Sequence, residues 1–456
     1  MKTILRITGY VLLSLTLFCC NDFEEAESAN NQMLWEDVFN DAQTARAAMA
    51  QVYADMRQSG FLTGNGNGIG CLAGCFADEL VAYSNIPDSF QAFYTLQITD
   101  GSKTVKELWN SSYRQIYMCN AILQGVSQST VLEEETKKQL RGEALFARAL
   151  VHFYLTNTFG DIPYLTDTDY NVNKKMGRIS PSEVYQRVVN DLEEAALLLP
   201  SQESSLKIYP SGKTVYAFLS RVHLYEKEYA KAYTIALLLL QDTEVNTLQP
   251  LEKVFLKEST GTLWQFAPAT ASANTLEGSF YVLSAAPSTR TALQSGLVEA
   301  FTTDDLRKTA WIDSVTGSSV FYFPLKYKEN KPSGASKEYS IVFRIEEQYL
   351  IAAEAAVLQH QWEAANHWLS VFKASRGLEH IYSEKEEVMM TEIEQQRRLE
   401  FFTEMGHRYY DLKRWNKLHQ TMSQLKDNWA TRFALLPIPQ TELMLNPNLL
   451  PQNAGY

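Results

Sequence analysis

Apolar residues recur every three or four positions along most of the chain, which is the spacing of one face of an α-helix. In the clearest example Trp109, Tyr113 and Ile116 share one side of a helix. The pattern predicts long helices over Asp41–Met56, Val105–Val126 and Glu133–Thr158. A further helix is expected to start at the Ser-Pro-Ser-Glu run of 180–183, where the serine and the glutamate form a capping box. The chain is therefore predicted to be mostly α-helical.

Small residues stand where pairs of these helices would cross. One candidate pair has Leu219 and Ser220 before Tyr229, Ala232 and Ala236. The second has Tyr349, Ala352 and Ala353 before Trp362, Ala365 and Leu369. Arg141–Asp161 and Glu183–Leu199 form a third candidate pair. Alanine and serine let two backbones approach, as in tetratricopeptide repeats, although here long insertions separate the units. We therefore expect a tetratricopeptide-like scaffold with a few short strands.

Two stretches lack helical periodicity and are expected to be irregular insertions. The first runs from about 60 to 100 and begins with the glycine-rich run Gly64–Gly70, which does not have the spacing of a phosphate-binding loop. The second runs from about 260 to 340 and contains several prolines, glycines and short β-like runs such as Val320–Phe323. We expect the glycine-rich run to be a flexible surface loop. Loops on a rigid frame commonly carry binding function.

The amino terminus has the pattern of a secretion signal over residues 1–20. Basic Lys2 and Arg6 precede an apolar core, Val11–Phe18, that is too short to cross a bilayer as a permanent helix. The signal ends in a sequence similar to a loose bacterial lipobox, with Cys20 as the expected acylated residue and Cys19 as the fallback. A lipid on this cysteine would anchor the protein to a membrane without embedding it.

Composition limits the possible functions. The chain has 456 residues, 45% of them hydrophobic, and a net charge of −12, which argues against nucleic-acid binding. Beyond the signal, Cys71, Cys75 and Cys119 do not form a zinc ligand set; a Cys71–Cys75 disulfide would be feasible, but we expect buried or free thiols. The sequence contains neither a zinc-protease helix motif nor a nucleophile elbow. We predict no metal, no cofactor and no catalytic residue.

The last sixty residues combine a charge ladder with a proline-containing tail. Charges of both signs stand three or four positions apart over Arg397–Trp415, which predicts a packed helix with a structural network of ion pairs. Pro437 and Pro439 then exclude a helix at their positions. The tail from Leu436 to Tyr456 is therefore expected to be extended chain held against the body of the protein.

Both C-terminal segments closely resemble the signature motifs of the SusD/RagB family. Asn21–Phe23 and the acidic residues that follow also resemble the mature start of the family's surface lipoproteins. The resemblance implies one SusD-like domain over 21–456, on the extracellular side of the outer membrane. It further implies a non-catalytic protein that captures an oligosaccharide and acts as a lid on a SusC-like, TonB-dependent transporter.

The resemblance also suggests where a ligand would bind. Sugars need flat aromatic faces beside planar polar side chains. In the first insertion, the acidic pair Asp78 and Glu79 is followed by Tyr83 and Asn85. The stretch continues to the aromatic residues Phe90, Phe93 and Tyr94. The candidate ligand residues of the two insertions together are Asp78, Tyr83, Asn85, Phe280, Tyr281 and Arg290. Trp264 and Trp311 are expected to be core residues.

Two alternatives remain open. The family's best-known glycan platforms often present tryptophan in the first insertion, and this chain does not, so a peptide or other non-sugar ligand is an alternative for the same lid. A protein of a different class, in which tetratricopeptide-like grooves at the outer membrane bind only other proteins, would also fit the helical pattern.

Overall fold

The structure is a computed structural model, and it describes residues 35–201, 204–245, 247–332 and 334–456. The predicted signal peptide, Cys19 and Cys20 lie outside the described residues. The helices are α1 (Trp35–Val38), α2 (Ala42–Gln58), α3 (Ile69–Phe76), α4 (Phe90–Thr95), α5 (Lys103–Gln128), α6 (Glu134–Phe159), α7 (Tyr170–Asn173), α8 (Pro181–Leu198), α9 (Gly212–Tyr225), α10 (Tyr229–Leu240), α11 (Leu276–Tyr281), α12 (Ser295–Glu299), α13 (Leu306–Trp311), α14 (Ile345–Val357), α15 (Trp362–Ala374), α16 (Glu386–Glu400), α17 (His407–Arg414), α18 (Leu418–Leu425) and α19 (Gln440–Leu445).

The strands of the described ranges form three separate antiparallel pairs. They are β1 (Leu80–Ala82), β2 (Thr262–Phe266), β3 (Thr291–Leu293), β4 (Ile312–Thr316), β5 (Val320–Pro324) and β6 (Ser340–Arg344). Strand β1 pairs with β3, β2 pairs with β6, and β4 and β5 form a hairpin. Within the described ranges, no helix is long and apolar enough to cross a membrane.

The predicted paired-helix scaffold is confirmed. Helix α6 packs against α8, α9 against α10, and α14 against α15, and the pairs stack through contacts of α9 with α8 and of α10 with α14. Ser220, Ala232, Ala353 and Ala365, which the sequence placed at the crossings, are fully buried. Their small side chains let the helix backbones approach closely. The fold class predicted from the sequence, mostly α with a tetratricopeptide-like scaffold, is therefore correct.

Local signals also set several helix ends. Ser180 caps α8, and its capping box with Glu183 is present as predicted. Helix α6 ends where Gly160 takes a left-handed φ of 78°. A side chain there would be strained, and an added Cβ would also lie 2.9 Å from a methyl carbon of Leu435 in the C-terminal tail.

The core brings the scaffold and the β2–β6 pair together. Trp264 is buried with its ring centroid 5.1 Å from that of Phe146 and 5.7 Å from that of Tyr53. Its indole Nε1 donates to the Ile208 carbonyl oxygen at 3.3 Å. Trp311 is equally buried and donates its Nε1 hydrogen to a backbone carbonyl. Both tryptophans are core residues, as predicted.

The glycine-rich run corrects one prediction. It is not a flexible surface loop: Gly66, Gly68 and Gly70 are buried, and the run leads into the buried helix α3. An added Cβ at Gly64 would lie 2.1 Å from the carboxyl carbon of Glu277, and one at Gly68 would lie 1.7 Å from the Thr63 carbonyl oxygen. The glycines are required because other atoms already occupy the space of a side chain.

The C-terminal segments also differ in part from expectation. The charge ladder is two helices, α16 and α17, because the chain turns between them with left-handed φ values at Thr403, Met405 and Gly406. The tail is held against the body as predicted, with Asn453 Nδ2 donating to the carbonyl oxygens of Phe159 and Leu436 at 2.7 Å. It nevertheless contains the short helix α19.

Candidate ligand-binding surface

A buried network of charges forms around the carboxyl end of α16. The Glu400 carboxylate accepts hydrogen bonds from Arg344, Arg376 and Arg307, all buried. These guanidinium groups outweigh the cost of burial and hold the pKa of Glu400 well below its ordinary value. The ion-pair network predicted for the charge ladder therefore exists, but most partners come from distant parts of the chain and not from the next helical turn.

Asp78 joins the first insertion to Arg398 of α16 and Arg408 of α17. Asp78 is buried, and its two oxygens accept from Arg408 Nε at 2.9 Å and Nη2 at 3.1 Å, with Arg398 Nη2 3.0 Å from Oδ2. These two arginines lower the pKa of Asp78 although burial opposes them. Because its carboxylate is buried and paired with two arginines, Asp78 has a structural role, which corrects its placement among the ligand residues.

Strand pairing brings the two predicted insertions together. Leu80 lies opposite Leu293 and Ala82 opposite Thr291 in the β1–β3 pair. The ladder continues one residue further, where the Tyr83 amide donates to the Arg290 carbonyl oxygen at 2.8 Å. Tyr83 and Arg290 are thus neighbours at the open end of the pair, despite their separation in sequence.

The exposed members of the predicted set are Tyr83, Asn85 and Arg290. The Tyr83 side chain is 39% exposed, and one edge of its ring packs on Phe321, with ring centroids 5.3 Å apart. Asn85 is exposed, and within the described chain its amide makes no hydrogen bond. Arg290 Nη1 donates to the carbonyl oxygens of Ser279 at 2.5 Å and Phe280 at 3.0 Å, which orients the guanidinium group at the surface.

The two aromatic residues of α11 lie deeper. Phe280 is half-buried, with its ring edge-on to Phe90 at 5.7 Å. Tyr281 is 5% exposed, and burial raises its pKa well above the ordinary value. It also lines a small internal cavity with Glu277 and Lys326. Tyr281 is a core residue, which corrects its placement among the ligand residues.

A small second core supports the ring of Tyr83. Leu283, Ala292, Phe321 and Phe323 pack together beneath it, separately from the main core. Phe321 and Phe323 face this cluster from β5. The hairpin therefore gives a stable base to an aromatic ring that would otherwise stand on loops.

A groove adjoins this surface on the side of α4. It has a volume of about 380 Å³ and is lined by Tyr94, Thr95, Leu96, Gln97, Gln294, Leu425, Lys426, Asp427 and Asn428. Lys426 Nζ donates to the carbonyl oxygens of Cys75 and Tyr94 and lies 5.0 Å from the Tyr94 ring centroid. Burial lowers the pKa of Lys426 to about 8.

The groove supplies planar polar groups beside tyrosine rings. In the described chain, the side-chain amides of Gln97, Gln294 and Asn428 make no hydrogen bonds, so they can serve a ligand. Burial raises the pKa of Tyr83, and its proximity to Tyr94 adds to the rise. No pattern in the sequence indicated that Gln294 or Asn428 would line one groove with Tyr94.

The three cysteines of the described residues are all buried free thiols, as expected. Cys71 and Cys75 lie one turn apart on α3, and burial raises the pKa of Cys71 well above its ordinary value. Among the described residues, no cluster of histidine, cysteine, aspartate or glutamate could hold a metal ion.

With the scaffold and the surface established, comparison with known proteins identifies the class. A family model described as starch-binding associating with outer membrane matches residues 76–224, and the SusD family model matches 293–456. SusD-like protein P2 of Formosa agariphila is 25% identical over 99% of both chains.

Solved structures share the fold. A laminarin-binding SusD-like protein superposes with a TM-score of 0.76 at 22% identity, covering 91% of this chain and 99% of that one. Surface glycan-binding protein A from Bacteroides uniformis gives a TM-score of 0.77 at 17% identity, covering 91% and 100%. The chain belongs to the SusD/RagB family, whose members associate with the outer membrane and are binding proteins rather than enzymes.

Proposed function

We propose that this protein captures an oligosaccharide at the cell surface and delivers it to a SusC-like, TonB-dependent transporter. The single observation that supports this most is the exposed ring of Tyr83, fixed on the β1–β3 pair between Asn85 and Arg290. In this proposal Cys20 carries the lipid anchor, and residues 21–456 act as one domain on the extracellular side.

The chemistry of the surface fits a sugar. The C–H face of a pyranose ring stacks on an aromatic ring, and its hydroxyl groups need planar donors and acceptors at the edges. Tyr83 and Tyr94 offer the rings, and Asn85, Gln97 and Gln294 offer amides that are not used within the described chain. The half-buried Phe280 packs on Phe90, and its carbonyl oxygen accepts from Arg290.

The same surface gives no reason to propose catalysis. Hydrolysis of a glycosidic bond needs two carboxyl groups that flank the substrate, one of them able to give a proton. Asp78 is held by two arginines below the surface, and Asp427 is the carboxylate that lines the groove. We therefore propose a binding protein that leaves its ligand unchanged, and that acts as the lid of the transporter.

The proposal is tested by titrating the purified mature protein with a panel of oligosaccharides in a calorimeter. Tyr83→Ala should weaken binding by about tenfold or more, the effect of losing roughly 1.4 kcal/mol of stacking. Tyr216→Ala on α9 is the matched control, because that ring is 36% exposed and lies outside the surface. Equal affinities of the two variants would contradict the assignment of the surface.

A peptide ligand is the second candidate, because the exposed rings are tyrosines and the exposed Arg290 could pair with a carboxylate. Titration with a peptide library separates the two. Peptide binding that depends on Arg290, with no response to any glycan in the panel, would favour the peptide. Co-purification with a SusC-like transporter tests the partner. A protein-only scaffold would bind the transporter but no glycan or peptide in these titrations.

A further inference from the structure

A second concave surface lies against helix α5, separate from the Tyr83 surface. It is formed by α5, by the segment from Pro163 to Lys174, and by the C-terminal stretch from Glu442 to Leu449. Its volume is about 280 Å³, close to the lower end of the range of roughly 300–1,000 Å³ found for small-molecule sites. None of the predicted ligand residues lines it.

The floor of this groove is aromatic and held in place. The Trp109 ring centroid lies 4.9 Å from that of Tyr113 and 5.0 Å from that of Phe159. Tyr113 Oη donates to the Pro163 carbonyl oxygen at 3.0 Å, which ties α5 to the adjoining segment. Because these contacts are made within the protein, the floor needs no ligand to form.

The rim presents an aromatic ring to solvent. Tyr170 is 71% exposed, yet its segment is ordered by local contacts: Asp169 Oδ1 accepts from the Asn171 amide at 2.7 Å. Lys174 Nζ lies 5.0 Å from the Tyr170 ring centroid and donates to Asn171 Oδ1 at 2.8 Å. An aromatic ring of this exposure costs solvation free energy in the free protein, and a stacked ligand would recover it.

Polar groups suited to hydroxyls line the same groove as that ring, together with the apolar side chains of Leu165, Leu445 and Leu449. The Asn110 side-chain amide makes no hydrogen bond within the described residues. Asn173 donates from Nδ2 to the Asp167 carbonyl oxygen, which leaves its amide oxygen able to accept, whereas Asn446 is used at both ends, donating to the Met176 carbonyl oxygen and accepting from the Asn448 amide. Glu442 is half-buried beside them, and burial raises its pKa. The lining thus combines one open ring, amides and a carboxyl group.

We propose that this groove is a second carbohydrate-binding site, in which a pyranose unit stacks on Tyr170 and hydrogen-bonds to Asn110 and Glu442. The ligand class rests on the proposed function, whereas the site itself is new. A protein partner fits less well, because stable protein interfaces bury about 800 Å² on each partner and this concavity holds little more than one or two sugar rings. Two sites on one chain would hold an extended glycan more tightly than either alone.

Hydrogen exchange with laminarihexaose and maltohexaose as the probes tests the proposal on the mature protein. We expect protection at two separate places, around Tyr83 and Tyr94 and around Tyr170 and Glu442. In Tyr83→Ala, protection at the second place should persist. In Tyr170→Ala, it should be lost, with affinity at this site reduced by about tenfold, equivalent to roughly 1.4 kcal/mol.

Tyr117→Ala is the matched control, because Tyr117 lies on the same helix α5, is 53% exposed and does not line the groove. Protection confined to the Tyr83 surface, or identical behaviour of the Tyr170 and Tyr117 variants, overturns the second site and leaves the proposed function intact. Absence of protection by both saccharides anywhere on the protein overturns the second site and the glycan assignment together.

Discussion

Glu79 makes the stability of this protein depend on pH in a direction that can be calculated. Its side chain is buried, and the residue lies directly before the first residue of β1 and after Asp78. Oε2 accepts from the Thr403 amide at 3.3 Å, and Oε1 has no partner among the described residues. Burial, and then the negative charge of Asp78, raise the pKa of Glu79 from 4.5 to about 8.

The sign follows from proton binding. Between pH 4.5 and about 8 the folded protein keeps the Glu79 proton that the unfolded chain has lost. The contribution of Glu79 to stability is therefore complete below pH 4.5 and is lost as the pH rises through about 8. Each unit of pKa shift corresponds to about 1.4 kcal/mol, so the contribution of Glu79 to the unfolding free energy has an upper bound of the order of 5 kcal/mol. Structural relaxation around the ionised carboxylate will reduce this contribution.

Glu79→Gln removes the titration while keeping nearly the same shape. At about pH 5 we expect the unfolding free energy of the variant to be equal to or lower than that of the native protein. Between about pH 5 and about pH 8, the variant-minus-native difference should become more positive by a few kcal/mol. Glu277, whose pKa burial raises to about 7, contributes in the same direction. Lys413, whose pKa burial lowers to about 7, contributes in the opposite direction at higher pH. The difference between variant and native protein cancels both background effects.

The assay is urea unfolding of both proteins at several pH values between about 5 and 8.5, followed by tryptophan fluorescence. The quantity to compare is the unfolding free energy of the variant minus that of the native protein. A difference that stays constant across this range would show that Glu79 is already ionised in the folded state, and the reasoning above would be refuted.

Two further predictions concern packing and the anchor. Gly64→Ala should destabilise the fold by about 1–3 kcal/mol in a urea titration, because its Cβ would overlap the buried carboxyl group of Glu277. Gly296→Ala is the control and should change stability by under about 0.5 kcal/mol, because nothing lies within 4 Å of an added Cβ there. A larger effect at Gly296 would contradict this. Cys20→Ala should abolish incorporation of labelled palmitate in cells and Cys19→Ala should not; the reverse result would assign the lipid to Cys19.

Local sequence patterns predicted most of the scaffold. Ser180 and Glu183 set the start of α8, and Ala232 and Ala353 mark helix crossings, because capping and close approach depend on residues a few positions apart. The C-terminal motifs indicated the family for a similar reason, since a short run of residues carries the whole signature. The run Leu263–Phe266 resembles the family's core strand, which assigned Trp264 to the core.

Long-range contacts decided the ligand surface. Asp78 follows an exposed-looking pattern, yet Arg408, 330 residues further along, takes up its carboxylate. Tyr281 and the glycine-rich run are buried because distant chain packs over them, which no local pattern encodes. Tyr83 pairs with Arg290 because of the β1–β3 register. Asn428 lines one groove with Tyr94 because of the position of α18. The sequence alone determined the helical frame because helix formation is local, whereas only the tertiary structure could select which polar and aromatic side chains face the solvent together.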